Sequence, residues 1–257
     1  MAQCPYPAGP QQTRNHRHRW NRRRFAGGRQ AEGDRPRAGA HGGAIEVAGT
    51  GDVELAGSAR INASGSAGGG VVALGTRLAR ATSRGADTPT LVARQVRIAK
   101  GARVAADPTV QGNGGQVAVL GADTATLAGR ATARGGKQGG DGGWVELSGK
   151  NGVGLTGTVD VSAPRGKLGD ILLDPATLNI DAGPLGCGTA DYIILNPNNN
   201  GTLLGNQPDA ISTVDVTNSA IQSLTGNIRL QATTAVNVNA PVTLTRAGQS
   251  LTIESGV

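Results

Sequence analysis

Aromatic residues are nearly missing from this chain, which has two Trp, two Tyr and one Phe among 257 residues. A compact core usually draws much of its buried area from such rings. Val, Leu, Ile and Ala must therefore fill the interior, which favours a narrow, layered core and an elongated shape. Cysteine is equally scarce: Cys4 and Cys187 lie far apart, too few for a disulfide-stapled framework. No apolar run approaches about 18 residues, which excludes a transmembrane helix. The N-terminus also lacks the roughly 7–15-residue apolar stretch of a secretory signal.

The formal charge of +7 points to nucleic acid only until it is located. Nine arginines between Arg14 and Arg37 face only Glu32 and Asp34, so residues 1–41 alone carry +7. The other 216 residues balance 16 basic against 16 acidic side chains. The tail contains no hydrophobic period and is expected to be disordered. It has three readings: an RNA- or membrane-binding arm, an organellar transit peptide, or a stretch that is not native coding sequence. The last is preferred, because Arg, Pro, Gly, Ala and His are what wrong-frame translation of GC-rich DNA yields.

From Gly42 onward the texture changes. Short apolar–polar–apolar segments appear, among them Ile45-Glu-Val47, Val53-Glu-Leu55, Val96-Arg-Ile98, Val145-Glu-Leu147, Ile228-Arg-Leu230, Val236-Asn-Val238 and Leu251-Thr-Ile253. Each places two side chains on one face of a short strand and a polar one on the other. Helical periodicity is nearly absent, and Gly, Asn, Asp or Ser ends each segment. Two markers recur in step. A Gly-Gly pair precedes a strand at Gly42, Gly69, Gly114 and Gly142, at intervals of 27, 45 and 28 residues. A second runs Ala59-Arg-Ile-Asn-Ala-Ser, Ala102-Arg-Val-Ala-Ala-Asp, Gly129-Arg-Ala-Thr-Ala-Arg and Gly157-Thr-Val-Asp-Val-Ser, at intervals of 43, 27 and 28.

Matching periods of this kind indicate a repeat architecture. Three short strands in about 27 residues make one coil of a three-sided parallel β-helix, each coil stacked on the last at about 4.8 Å. The expected fold class is thus all-β. The repeats span residues 42–180, with an insertion near 76–95, rich in Thr, Ser, Gly, Asp and Pro around Arg80–Thr90, that leaves as a loop or extra strand pair. Ile171–Ile180 reads as two strands broken at Asp174-Pro175. Residues 181–210 read as an irregular connection, and 211–257 as further strands of the same kind. They stop within a pattern that wants another strand, so the chain reads as a fragment.

Several stretches carry a resemblance. They are Gly112-Asn-Gly-Gly-Gln-Val-Ala-Val-Leu, Gly139-Gly-Asp-Gly-Gly-Trp-Val-Glu-Leu-Ser-Gly149, Val159-Asp-Val-Ser-Ala-Pro164 and Gly169-Asp-Ile-Leu-Leu-Asp-Pro-Ala-Thr-Leu-Asn-Ile180. Over roughly residues 42–257, and most specifically over 112–180, the chain resembles filamentous-haemagglutinin-like exoproteins exported by two-partner secretion. The resemblance implies a right-handed β-helical shaft, passage of the parent protein through an outer-membrane pore, and release or display at the bacterial surface. It also implies adhesion to host cells or other bacteria, biofilm formation and, in some branches, a C-terminal toxin. The family's signal peptide and N-terminal secretion domain have no counterpart here. Asn196-Pro197-Asn198 is similar to part of a motif of that domain, but it follows the repeats and reads as a turn.

No catalytic, cofactor-binding or metal-ligating residue is assigned. β-Helical polysaccharide lyases and hydrolases cluster acidic groups on one exposed face. Asp123, Asp141, Asp160, Asp170, Asp174 and Asp181 instead occupy separate strand and turn contexts and read as turn or outward residues. Gly139–Gly143 reads as a corner and not as a tandem Ca²⁺ repeat. His16 and His18 lack further ligands nearby, Cys187 reads as a loop thiol, and Trp144 suits either an exposed contact or corner packing. The expected function is a non-catalytic structural and adhesive segment. It needs no cofactor, its receptor is unspecified, and no specific nucleic-acid partner is expected. A polysaccharide-active β-helix and nucleic-acid binding by the Arg tail stand as alternatives.

Overall fold

A computed structural model describes residues 31–32, 39–83, 91–182, 193–194 and 213–256. The chain is an all-β protein built mostly of parallel sheet, with two short helices. Strand β1 (Ala31–Glu32) is followed by repeated passes through the same sheets. The first pass contains β2 (Ala44–Val47), β3 (Val53–Leu55) and β4 (Arg60–Asn62). The second has β5 (Val71–Leu74), helix α1 (Leu78–Thr82), β6 (Ala93–Ile98) and β7 (Arg103–Ala105). The third has β8 (Gln116–Leu127) and β9 (Arg130–Thr132), and the fourth β10 (Trp144–Gly149), β11 (Gly152–Leu155) and β12 (Thr158–Asp160). After them come β13 (Asp170–Asp174), β14 (Thr177–Asp181), β15 (Ile193–Ile194), β16 (Thr213–Thr217), α2 (Asn218–Ser223), β17 (Asn227–Ala232), β18 (Ala235–Val238) and β19 (Leu251–Ser255).

Parallel pairing sets equivalent residues of successive passes directly above one another. On the largest sheet, ordered β19-β17-β13-β10-β8-β5-β2, one inward ladder runs Ile45, Val72, Val117, Val145, Ile171, Ile228, Leu251. Beside it runs Val47, Leu74, Val119, Leu147, Leu173, Leu230, Ile253. The second half of β8 turns a corner and pairs with β6 and β11, adding the ladder Leu55, Ile98, Leu127, Leu155. A fourth ladder, Ile61, Val104, Ala131, Val159, lies on the five-stranded sheet β1-β4-β7-β9-β12. Apart from Ile253, which is exposed, these side chains form one continuous aliphatic core. Among the described residues no aromatic belongs to it, as the composition implied.

The two sequence markers are halves of one corner. After the ladder Ile61, Val104, Ala131, Val159 each pass returns to the largest sheet, and a Gly that opens it, the second of a Gly-Gly pair in three cases of four, donates its N–H to the carbonyl near the end of the other marker. The bonds are Gly70 to Ala63 (2.8 Å), Gly115 to Ala106 (2.7 Å), Gly143 to Ala133 (2.7 Å) and Gly169 to Val161 (2.9 Å). A Cβ on the first Gly of each pair would strike the carbonyl that the next pass's Gly bonds: Ala63 for Gly42, Ala106 for Gly69, Ala133 for Gly114 and Val161 for Gly142. The backbone approaches itself too closely there for any other residue. Gly139 and Gly140, with φ of +146° and +119°, turn the chain into the fourth of these passes, which makes their segment a corner.

Three features depart from the sequence reading. The stack reaches back before Gly42: β1 pairs with Ile61 and Asn62 of β4, and the Gly39 N–H bonds Ser66 Oγ. The open edge of β4 takes a strand that no periodicity announces; the rest of the expected disordered tail lies outside the described residues. The insertion contains a helical turn, α1, reached through an antiparallel bridge of Thr76 with Val92, where a loop or strand pair was expected. Finally, the four-stranded sheet β15-β16-β14-β18 places β16 beside β14, with β15 and β16 lying against β11. The pairing of β15 with β16 is antiparallel. Helix α2 then sends Ile221 into the common core, joined by Leu224 just after it, and Thr225 bridges to Asp160 on the five-stranded sheet.

Candidate functional site

With the interior closed by aliphatic ladders, chemistry can reside only on the outward faces. The outer ladder of the largest sheet reads Glu46, Ala73, Ala118, Glu146, Leu172, Arg229, Thr252. Two adjacent alanines leave a shallow seat, and α1 occupies it. Ala81, with Leu78 and Val92 beside it, packs on Ala73, Ala118 and Leu120. The glutamates on either side of the seat clamp the helix. Glu46 accepts from Arg77 Nη1 (3.0 Å) and from the Leu78 N–H (2.9 Å), satisfying a donor of the first turn. Glu146, fully buried, accepts from both terminal nitrogens of Arg80 at 2.6 and 3.1 Å. That two-bond fork is the strongest geometry for this pair.

Asp174 lies diagonally from Glu146 on the same face, hydrogen-bonded by Ser148 Oγ at 3.3 Å. Burial pushes its carboxyl above the ordinary carboxylate range, and the nearby Glu146 charge pushes it the same way. A carboxyl raised in the fold costs stability while ionised, and that cost disappears as pH falls through the raised value. Asp174→Asn is therefore expected to stabilise the chain at pH 7 and to leave it unchanged near pH 4. Urea denaturation at the two pH values checks the sign.

The five-stranded sheet β1-β4-β7-β9-β12 presents a different surface. Its outer ladder is Arg60, Arg103, Arg130, Thr158, with all three arginines exposed. Arg60 Nη1 is steadied by the carbonyls of Ala59 (2.8 Å) and Gly101 (3.0 Å), and Arg130 reaches Asp160 at 3.2 Å. Among the described residues, Arg60 and Arg103 have no acidic partner. At the adjoining corner Asp107 accepts from the Arg134 backbone N–H (2.7 Å), Arg134 Nη2 (2.8 Å) and Thr132 Oγ1 (2.9 Å). This bond to Asp107 raises the Arg134 pKa against the effect of burial.

The aspartates named from sequence do not converge. Asp123 bonds Gln95 and Asn151 across three passes. Asp141 accepts from the Lys167 N–H, as Asn113 accepts from the Asp141 N–H one pass below. Asp160 holds Ser162 and Arg130, and Asp170 meets Asn227. Asp181 ends β14. Most of these bonds link neighbouring passes and act as axial fasteners. No three His, Cys, Asp or Glu side chains gather as metal ligands among the described residues. Trp144 opens β10 and is buried. His16, His18, Cys187 and Asn196–Asn198 lie outside the described residues. No described helix is long and apolar enough to cross a membrane, which leaves membrane crossing by strands untouched.

Sequence reading missed the Arg80–Glu146 clamp, whose partners are 66 residues apart. It held the arginine ladder in plain view: the second marker carries Arg at the same position in three of its four copies, Arg60, Arg103 and Arg130. The fold and these faces define an all-β protein of stacked parallel sheets with a closed aliphatic interior and ordered outward ladders. No protein-family model matches the chain, and no curated protein matches it in sequence.

Proposed function

We propose that the chain is a segment of a right-handed parallel β-helical shaft from a large exoprotein. In this reading the parent protein crosses the outer membrane through a two-partner secretion pore and works at the bacterial surface as a non-catalytic structural and adhesive element, like the filamentous-haemagglutinin-like exoproteins it resembles. The observation that carries the reading is the in-register aliphatic ladder of seven rungs on the largest sheet. Stacking of this kind is quasi-one-dimensional, so added passes lengthen a shaft without enlarging its core. The aspartates support a non-catalytic role, because they are spent on bonds between passes and are not gathered on one face.

Display of the full chain on a non-adherent bacterium tests the function. Attachment to epithelial monolayers or autoaggregation above an unrelated displayed protein is expected. Absence of both, together with depolymerisation of polygalacturonate or other glycans that is lost on mutating aspartates, would replace the adhesive reading with an enzymatic one.

A further inference from the structure

The arginine ladder has an electrostatic cost that an acidic partner among the described residues offsets only at Arg130. Three guanidinium groups at the same strand position, one pass apart, sit about 4.7–4.9 Å from rung to rung at the backbone, and like charges set directly opposite across paired strands are destabilising. The sheet could have carried neutral side chains there at no loss to the core, since Ile61, Val104, Ala131 and Val159 face inward between the outward positions. Arg130 is paired with Asp160, and one nitrogen of Arg60 is held by the carbonyls of Ala59 and Gly101. Arg60 and Arg103 are exposed and have no acidic partner among the described residues.

We infer that Arg60, Arg103 and Arg130 form a binding stripe for a linear acidic polysaccharide carrying one carboxylate on each sugar. An extended two-fold polyuronate turns successive sugars to opposite sides, so the carboxylates on one face recur at about two strand spacings, the separation of Arg60 from Arg130, with Arg103 between them. The planar fork matches a carboxylate with two parallel hydrogen bonds, which an ammonium group does not. The neighbouring outward column of Asn62, Ala105, Thr132 and Asp160 is small and mostly uncharged, and it leaves a flat track for the chain. Thr132 and Asp160 are turned to their own partners, Asp107 and Arg130. Nucleic acid fits less well. Single strands are gripped by aromatic platforms on which bases stack, and none of the described residues on this face is aromatic. Duplex phosphates follow a helical path that a straight ladder of three rungs cannot track.

The stripe deepens the adhesive reading and rests on it for the outward display of the sheet. Its test uses the full chain on immobilised polygalacturonate in EDTA at low and moderate salt. Methyl-esterified polygalacturonate serves as the uncharged control and a single-stranded DNA oligomer as the competing polyanion. Arg60→Gln/Arg103→Gln/Arg130→Gln is compared with Arg22→Gln/Arg23→Gln/Arg24→Gln, because the tail is also basic. The inference expects salt-sensitive binding to the acidic polymer only, at least about tenfold weaker in the ladder variant and little changed in the tail variant. Equal loss from the tail variant alone, or tighter binding of DNA through the ladder, overturns it. Should the triple variant not fold, Arg103→Lys reads the same point: severalfold weakening supports the fork, and unchanged affinity rejects it. Cell attachment retained by a folded ladder variant that has lost polyuronate binding keeps the adhesive reading and removes the stripe from it. Polyuronate binding without cell attachment keeps the stripe and removes that reading.

Discussion

Glu146→Gln is expected to destabilise the chain by about 3–5 kcal/mol, because it strands the Arg80 charge in a buried position. The Glu146 side chain is fully buried and that of Arg80 is 8% exposed, so water cannot readily replace the lost partner. The loss has an escape route. Helix α1 lies outside the ladder of the core, and it can lift from its alanine seat before the sheets separate. The cost is then capped by the free energy of that local opening. Urea denaturation with and without tryptic probing at Arg77 and Arg80 separates the two responses. Early cleavage with an unshifted main transition marks local release, and a shifted main transition marks loss through the whole stack. Arg80→Met/Glu146→Leu removes both charges and is expected to regain most of the stability, since well-packed apolar replacements of buried pairs are often neutral or better. A double variant as weak as Glu146→Gln would show that the clamp contributes through packing and not through charge.

The second large effect belongs to the interior. Leu147 is held between Val119 and Leu173 in one ladder and is 2% exposed. Leu147→Ala removes its contacts with the rungs above and below and leaves a void that rigid strand spacing prevents from closing. A loss of about 2–5 kcal/mol is expected from comparable buried leucines. Ile253, in the same ladder but 41% exposed at its last rung, is expected to lose less than half as much as Ile253→Ala. Chemical denaturation of both variants checks the ratio. Equal losses would mean that the ladder does not behave as a column of nearest-neighbour contacts.

The inward ladders were readable from sequence because a period of two within each strand and one of about 27 residues between strands leave no freedom in which side chains meet. Ile45, Val72, Val117 and Val145 follow the marker spacing directly, and Ile171 and Ile228 continue it across a longer gap. The Gly-Gly marker was legible as a corner, although its bond to the other marker needed three dimensions. The α1 clamp was not legible, since Arg80 sits among Thr, Ser and Gly with no apolar period to fix its direction. Nor was the place of β16 beside β14, although strands were expected from residue 211, because residues 182–212 carry neither marker and nothing in their sequence states where the chain rejoins the stack. The arginine ladder stands between these cases: its recurrence was visible as letters, while its meaning depended on knowing that the letters stack.

The mouth of the α1 insertion is a single point. Gly75 receives its place from the Val47 carbonyl (2.7 Å), and its own carbonyl accepts the Ala93 N–H (2.7 Å), so the chain departs and rejoins across one peptide. The excursion touches the other passes only where α1 meets the outer face among the described residues, and the entropy of closing a longer excursion grows only with the logarithm of its length. Gly75 and Ala93 thus work as a socket. A different appendage could be plugged in there, with its own seat on the outer alanines, while the column beneath kept its pitch.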